Sequence, residues 1–258
     1  MDKIRLIPFK VNFEHVKRIQ TALNWMLYIS VVLGISILLV IRFKKSDAIQ
    51  YSDNINYIVG TLSLFYFIGD LSKRFLLMLA EQRRRKDFID NSLETNLSDF
   101  KSKGYYSNEE ISPGIYKMGV NCFENAFFSS AISGKMIFRL IILSLLVILI
   151  FCLLIMSSDK ITIATFLQFA LPYSILQETI IVVIYYFQVN SILNYFKLLF
   201  SSAQEHKRDL LLIHNIINYE STISWAGVIL SNRIFKKYNE ELSAQWERIK
   251  QDHNIKPE

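Results

Sequence analysis

Apolar residues along the 258-residue chain gather in four runs, separated by segments that hold nearly all of the charge. The first run, Thr21 to Ile41, is 21 residues without a charged side chain. As a helix it reaches about 31 Å, close to the hydrocarbon thickness of a bilayer. The second is uncharged for 15 residues, Ile55 to Gly69, then continues apolar past Asp70, Lys73 and Arg74 to Ala80. The third, Leu140 to Met156, is flanked by Lys135 and Arg139. The fourth extends from about Ile161 to Val189, interrupted by Pro172, Gln177 and Glu178. Short connections join the first run to the second and the third to the fourth. The pattern predicts two helical hairpins flanking a longer polar stretch.

Runs one and three are too long and too uniformly apolar for core helices of a soluble protein. Runs two and four follow by pairing, since three crossings would put the two long polar regions on opposite sides. No small-residue cleavage pattern follows the first run, so it reads as an anchor and not a signal peptide. Lys and Arg counts set the orientation. The segment before Thr21, the stretch Arg83–Lys135 and the tail after Val189 hold five, eight and nine; the short loops hold three and one. The N-terminus, middle and tail are therefore expected in the cytoplasm, although Arg42, Lys44 and Lys45 run against this assignment. The net charge of +6 first reports topology, and no nucleic-acid partner is expected.

The expected fold is an all-α membrane protein, four transmembrane helices as two hairpins with a helical cytoplasmic domain. Its segments are 1–20 (cytoplasmic), 21–80 (first hairpin), 81–135 (cytoplasmic middle), 136–189 (second hairpin) and 190–258 (cytoplasmic tail packing with 81–135). Leu76 to Leu93 reads as one helix descending from the bilayer; Gly104 and Ser112-Pro113-Gly114 punctuate a loop after it. Asn121 to Ser133 reads as helix again. Ile192 to Ile217 reads as a helix that leaves the membrane and turns back. In the tail, Phe235, Tyr238, Leu242, Trp246 and Ile249 recur at spacings of three and four, an amphipathic helix. Alternating strand patterns are scarce, and 8 Gly and 4 Pro leave few hairpin signals.

Catalytic signatures are scarce. The four His are scattered, and Cys122 and Cys152 lie in different segments, so neither a metal centre nor a disulfide is expected. Ser133-Gly134-Lys135 lacks the glycine and hydroxyl positions of a phosphate loop. Neither an enzyme nor a resident cofactor is predicted. Glu178 is the sharpest single residue: an ionised side chain midway through a span costs about 2.5–3.5 kcal/mol. Pro172 is expected to kink the same helix, and Gln168 and Gln177 add polar groups to it. The four residues make either a polar seam facing a pore or partner helix, or a protonated carboxyl satisfied within the bundle. Asp70, at the cytoplasmic end of run two, is explained by snorkelling beside Lys73 and Arg74. Arg83-Arg84-Arg85-Lys86 reads first as a juxtamembrane anchor to anionic lipid, at about 1 kcal/mol per residue. It also suits a phosphorylated ligand, because guanidinium forks match phosphate oxygens.

Several tail sequences carry a resemblance. Asn218-Tyr219-Glu220, Trp225-Ala226-Gly227-Val228-Ile229-Leu230, Ile234-Phe235, Asn239-Glu240-Glu241-Leu242-Ser243 and Trp246-Glu247-Arg248-Ile249 resemble the C-terminal signature of the SMODS-associated four-transmembrane (S-4TM) effector family. The two hairpins around a cytoplasmic middle, and the Glu81–Lys86 turn beneath run two, extend the likeness over most of the chain. Tyr219, Trp225, Phe235 and Trp246 equally fit the core of a cytosolic domain. The resemblance implies a pore-forming or membrane-disrupting effector of bacterial anti-phage defence in the inner membrane. Such a protein is dormant until a cyclic nucleotide or oligonucleotide messenger binds, and its opening causes abortive infection. The family transfers no ligand residues; Arg83, Arg84, Arg85, Arg208 and Arg233 are the basic groups expected to meet a polyanion. One chain's four helices are too thin for an aqueous pore, so a homo-oligomer in the lipid bilayer is expected. A constitutive small channel or transporter and a membrane-anchored scaffold are the alternatives.

Overall fold

The computed structural model describes residues 6–43, 48–157, 171–202 and 205–255. Among the described residues six helices account for the regular structure: α1 (Lys10–Phe43), α2 (Ala48–Leu93), α3 (Ile115–Ser157), α4 (Leu171–Ser202), α5 (Glu205–Ala226) and α6 (Asn232–Asp252). One isolated antiparallel bridge, Leu6 to Lys103, is the extent of β pairing among the described residues. The protein is all-α.

The chain forms two units. The first comprises residues 1–13, 77–138 and 181–258; the second comprises 14–76 and 139–180. Helices α1 to α4 each contribute residues to both.

The first unit has a continuous aromatic-rich core. Phe88 from α2, Phe123 and Phe127 from α3, Phe196 from α4, Leu212 and Tyr219 from α5, and Leu242 and Trp246 from α6 are buried together. Phe123 stacks on Phe196 and Phe200 and meets the edge of Trp246, with centroids 5.5, 5.4 and 5.1 Å apart. Such pairs add specificity to area burial. Gly119 lets α3 approach α5: a Cβ there would lie 2.8 Å from a methyl of Leu212. At the end of α5, Gly227 takes φ +56° and donates its N–H to Ile223 O, a left-handed helix stop that favours glycine. Ser231 then caps α6 by accepting from the Ile234 N–H.

The second unit is organised differently. Leu23 and Leu27 of α1 and Ile55 and Val59 of α2 are each buried, and a Cβ at Gly69 of α2 would lie 2.8 Å from Leu23. Between α3 and α4, the hydroxyls of Ser144 and Thr179 bond at 2.7 Å. Outward, the same helices expose large apolar side chains: Trp25 and Val32 on α1, Phe65 and Phe67 on α2, Leu145 and Leu149 on α3, Ile180 on α4.

Four spans were expected. Among the described residues two helices are long and apolar enough to cross a membrane, Ile115–Leu149 and Ile175–Ser201. The apolar stretch of α2 is cut off by Asp70, Lys73 and Arg74. The run on α1 includes side chains outside the described set, and the first half of run four, with Gln168, lies there too. Pro172 stands in the first turn of α4, where a missing N–H breaks no helical bond. The residues upstream, which would carry a kink, are outside the description.

Candidate functional site

The turn Glu81–Lys86 lies on α2 within the first unit, and helical geometry points its residues in different directions. Arg84 turns inward and is only 9% exposed. Its Nε donates to Glu81 Oε2 at 2.7 Å, one turn earlier, and its Nη2 donates to Glu220 Oε2 on α5 at 2.5 Å. Burial alone would lower the pKa of this guanidinium; the carboxylates of Glu81 and Glu220 outweigh it and raise the pKa well above its usual value. Arg85 Nε stands 4.0 Å from the same Glu220 oxygen, and the other oxygen of Glu220 is buried with no hydrogen-bond partner among the described residues. Arg83 points the other way, exposed, and donates to Asn12 Oδ1 at 3.0 Å.

The five arginines are not gathered into one patch. Arg84 is occupied by two carboxylates, so its fork is not displayed to a ligand. Arg208 lies twelve residues before Glu220 on α5, about 18 Å along the axis, with its guanidinium 4.5 Å from the centre of the Tyr116 ring. Arg233 is exposed in the first turn of α6.

In the second unit, Asp70 forms a fork with Lys73 and Arg74, each at 2.7 Å. Glu178 is half-buried on α4 and Gln177 is exposed, while the neighbouring Thr179 is the buried member that bonds across to α3.

A buried polar network organises the loop between α2 and α3. Asp87 accepts from the Ser102 N–H and hydroxyl, and Asp90 accepts from Thr95, Leu97 and Ser98. Burial would raise the Asp90 pKa, but those donors, led by the Leu97 N–H, hold it at about 2. Deeper in, Asn108 Nδ2 donates to Asn121 Oδ1 at 3.0 Å and to Glu124 Oε2 at 2.8 Å. Asn121 in turn donates to Asn91 and Ser92 near the end of α2. Trp246 Nε1 donates to Ser107 Oγ at 2.9 Å, which ties α6 to the same loop. Burial pushes the Glu124 carboxyl up to about 7 against the hydrogen bonds from Ser107 and Asn108 and the charge of Lys250. Asp87 and Asp90 on α2, Glu124 on α3 and Asn108 in the connection were not legible in the sequence, because polar residues on a helix face or in a loop read as solvated. The loop's length between two helices was the available signal.

A groove of about 660 Å³ runs between α4 and α5, within the first unit. Tyr195, His214 and Trp225 form its aromatic walls, and Gln188, Asn218 and Thr222 are among its polar groups. Its base is fixed by Asn215 Nδ2, which donates to Ile192 O at 3.1 Å. Of the four tail aromatics assigned to a core, Tyr219 and Trp246 are buried and Phe235 packs against them, whereas Trp225 is 61% exposed at this groove.

Comparison with protein-family models, curated proteins and solved structures finds no match for the chain.

Proposed function

We propose that the protein is a non-enzymatic membrane effector whose second unit forms a four-helix, multi-pass anchor in a bacterial inner membrane. Segments 81–135 and 190–258 of its first unit form a cytoplasmic ligand sensor, with both termini on that side. The observation that carries the reading is the contrast between the units. The first closes around a continuous aromatic-rich core; all four helices of the second turn large apolar side chains outward. Water penalises such a surface, and lipid does not. The resemblance to the S-4TM family supplies the role: a dormant protein that opens or disrupts the membrane when a cyclic nucleotide or oligonucleotide binds, with abortive infection as the outcome.

Because α1 to α4 supply residues to both units, a rearrangement in the first has a covalent route into the second. A ligand drives it only if it prefers one arrangement over the other. The clasp of Glu81, Arg84 and Glu220 ties α2 to α5 and is one contact such a change would break. Oligomerisation of the second unit provides the width that one chain lacks.

The test is reconstitution of the purified protein in dye-loaded vesicles. Release on addition of one member of a cyclic oligonucleotide panel supports the reading. Release without any ligand favours a constitutive channel. The exposed apolar residues Leu210, Ile213 and Ile217 on one stripe of α5 favour a scaffold as the second reading; retention of dye under every ligand, with a partner protein bound, would replace the effector by it.

A further inference from the structure

We infer that the groove between α4 and α5 is a binding site for a flat, uncharged heterocycle of the nucleobase kind, set apart from the arginines that would meet phosphate. The inference deepens the proposed messenger-sensing role and rests on it for its biological meaning, but the binding argument is independent.

The size is that of a small-molecule site, where clefts run about 300–1,000 Å³. The chemistry of the lining narrows the ligand. Among the described residues no Lys, Arg, Asp or Glu lines the groove, so these offer an ionic group no counter-charge. It offers instead amides and hydroxyls that both donate and accept, which suits a ligand edge carrying donors and acceptors side by side. Its walls are π surfaces. The Tyr195 and His214 rings meet edge to face at 6.5 Å, and Trp225 is exposed although it is the largest apolar group there. Stacking on exposed aromatic faces with hydrogen bonds to ring edges is how single bases are held by proteins in general.

The polar groups are already oriented. Asn218 Nδ2 lies 3.1 Å from His214 Nε2, one turn away, and Thr222 bonds back to Asn218 O at 2.8 Å. A ligand would find an amide and a ring fixed against each other, which reduces the ordering cost of binding. The arginines lie elsewhere: Arg84 is held by Glu81 and Glu220, and none of the five lines the groove. The ligand's flat part and its anionic part are thus recognised by different groups.

The experiment uses the full chain in detergent micelles, titrated with the four ribonucleoside monophosphates, a set of cyclic dinucleotides and ribose 5-phosphate as the base-free control. Binding is read by tryptophan fluorescence and by calorimetry. The expected result is saturable quenching by at least one base-bearing probe and none by ribose 5-phosphate. Trp225→Phe should remove most of the optical response while calorimetry still detects the ligand. Asn218→Leu should weaken binding about tenfold or more, the effect of leaving one polar group of the complex unpaired. Both side chains are exposed, so the variants keep the core intact, and an unchanged melting curve verifies that. Absence of saturable binding by every base-bearing probe, or equal affinity of Asn218→Leu and the unaltered protein, overturns the site. Dye release separates this from the effector reading. Ligand-driven release that Asn218→Leu leaves intact refutes the groove alone; groove binding that never causes release upholds the groove and refutes the gating role.

Discussion

At the scale of single residues, burial decides the fate of charges that look alike in sequence. Arg83, Arg84 and Arg85 are consecutive, yet Arg84 alone is enclosed and paired on two sides. Arg84→Met should therefore destabilise the protein by about 3–5 kcal/mol, because Glu81 and Glu220 lose the cation they were buried against. Arg83→Met should cost less than about 1 kcal/mol, an exposed polar contact; denaturant melts of the two variants in one detergent make the comparison. Equal effects would mean that the clasp is not structural. Glu124 gives a prediction of opposite character. Its carboxyl titrates near 7 in the fold and near 4.5 unfolded, so the native state holds the extra proton between those values. Stability is then fully present below about pH 4.5 and falls as pH rises through about 7. The shift corresponds to a loss on the order of 3 kcal/mol at most. Glu124→Gln keeps an acceptor for Asn108 without the proton, and should flatten the decline and melt higher than the unaltered protein at pH 8. Asp90 runs the other way: with its pKa held at about 2, its contribution is present above about pH 3.8 and is lost as pH falls through 2.

The elements themselves were largely legible. The three-and-four spacing of Phe235, Tyr238, Leu242, Trp246 and Ile249 is the buried side of α6, because period 3.6 is imposed on any helix that packs on one face. The helical reading of Ile192 to Ile217 falls on the end of α4 and the first part of α5, two helices where one was expected. Long-range pairing was not legible: Glu220 is 136 positions from Arg84, and no local pattern announces the bond. Trp225 shows the same limit, since its place just before the α5 stop looks like core and is a groove wall. One signal was present, the polar and aromatic stripe of Gln188, Ser191 and Tyr195 on α4, spaced three and four apart, facing His214, Asn218 and Thr222 on α5. At this scale Trp246 is the pin of α6, with a buried ring and an indole N–H held by Ser107. Trp246→Ala should cost about 3–5 kcal/mol and release α6 from the core. Increased amide hydrogen exchange across 232–252, with α3 still protected, would mark that release; unchanged exchange would mean the helix is held by other contacts.

For the whole molecule, the account depends on the second unit lying in lipid with the first unit and both chain ends in the cytoplasm. The cysteines already present make this simple to examine, because Cys122 is fully buried and Cys152 lies within run three. Single added thiols can therefore be read against a low background. Ser243→Cys on the exposed side of α6 reports the tail, and Ser46→Cys reports the connection between the first two runs. The most direct measurement is labelling of these two variants by a membrane-impermeant maleimide in intact cells and in inverted membrane vesicles. The account predicts that Ser46→Cys is labelled in intact cells only and Ser243→Cys in inverted vesicles only. Labelling of Ser243→Cys from outside the cell, or of both thiols from the same side, would contradict it.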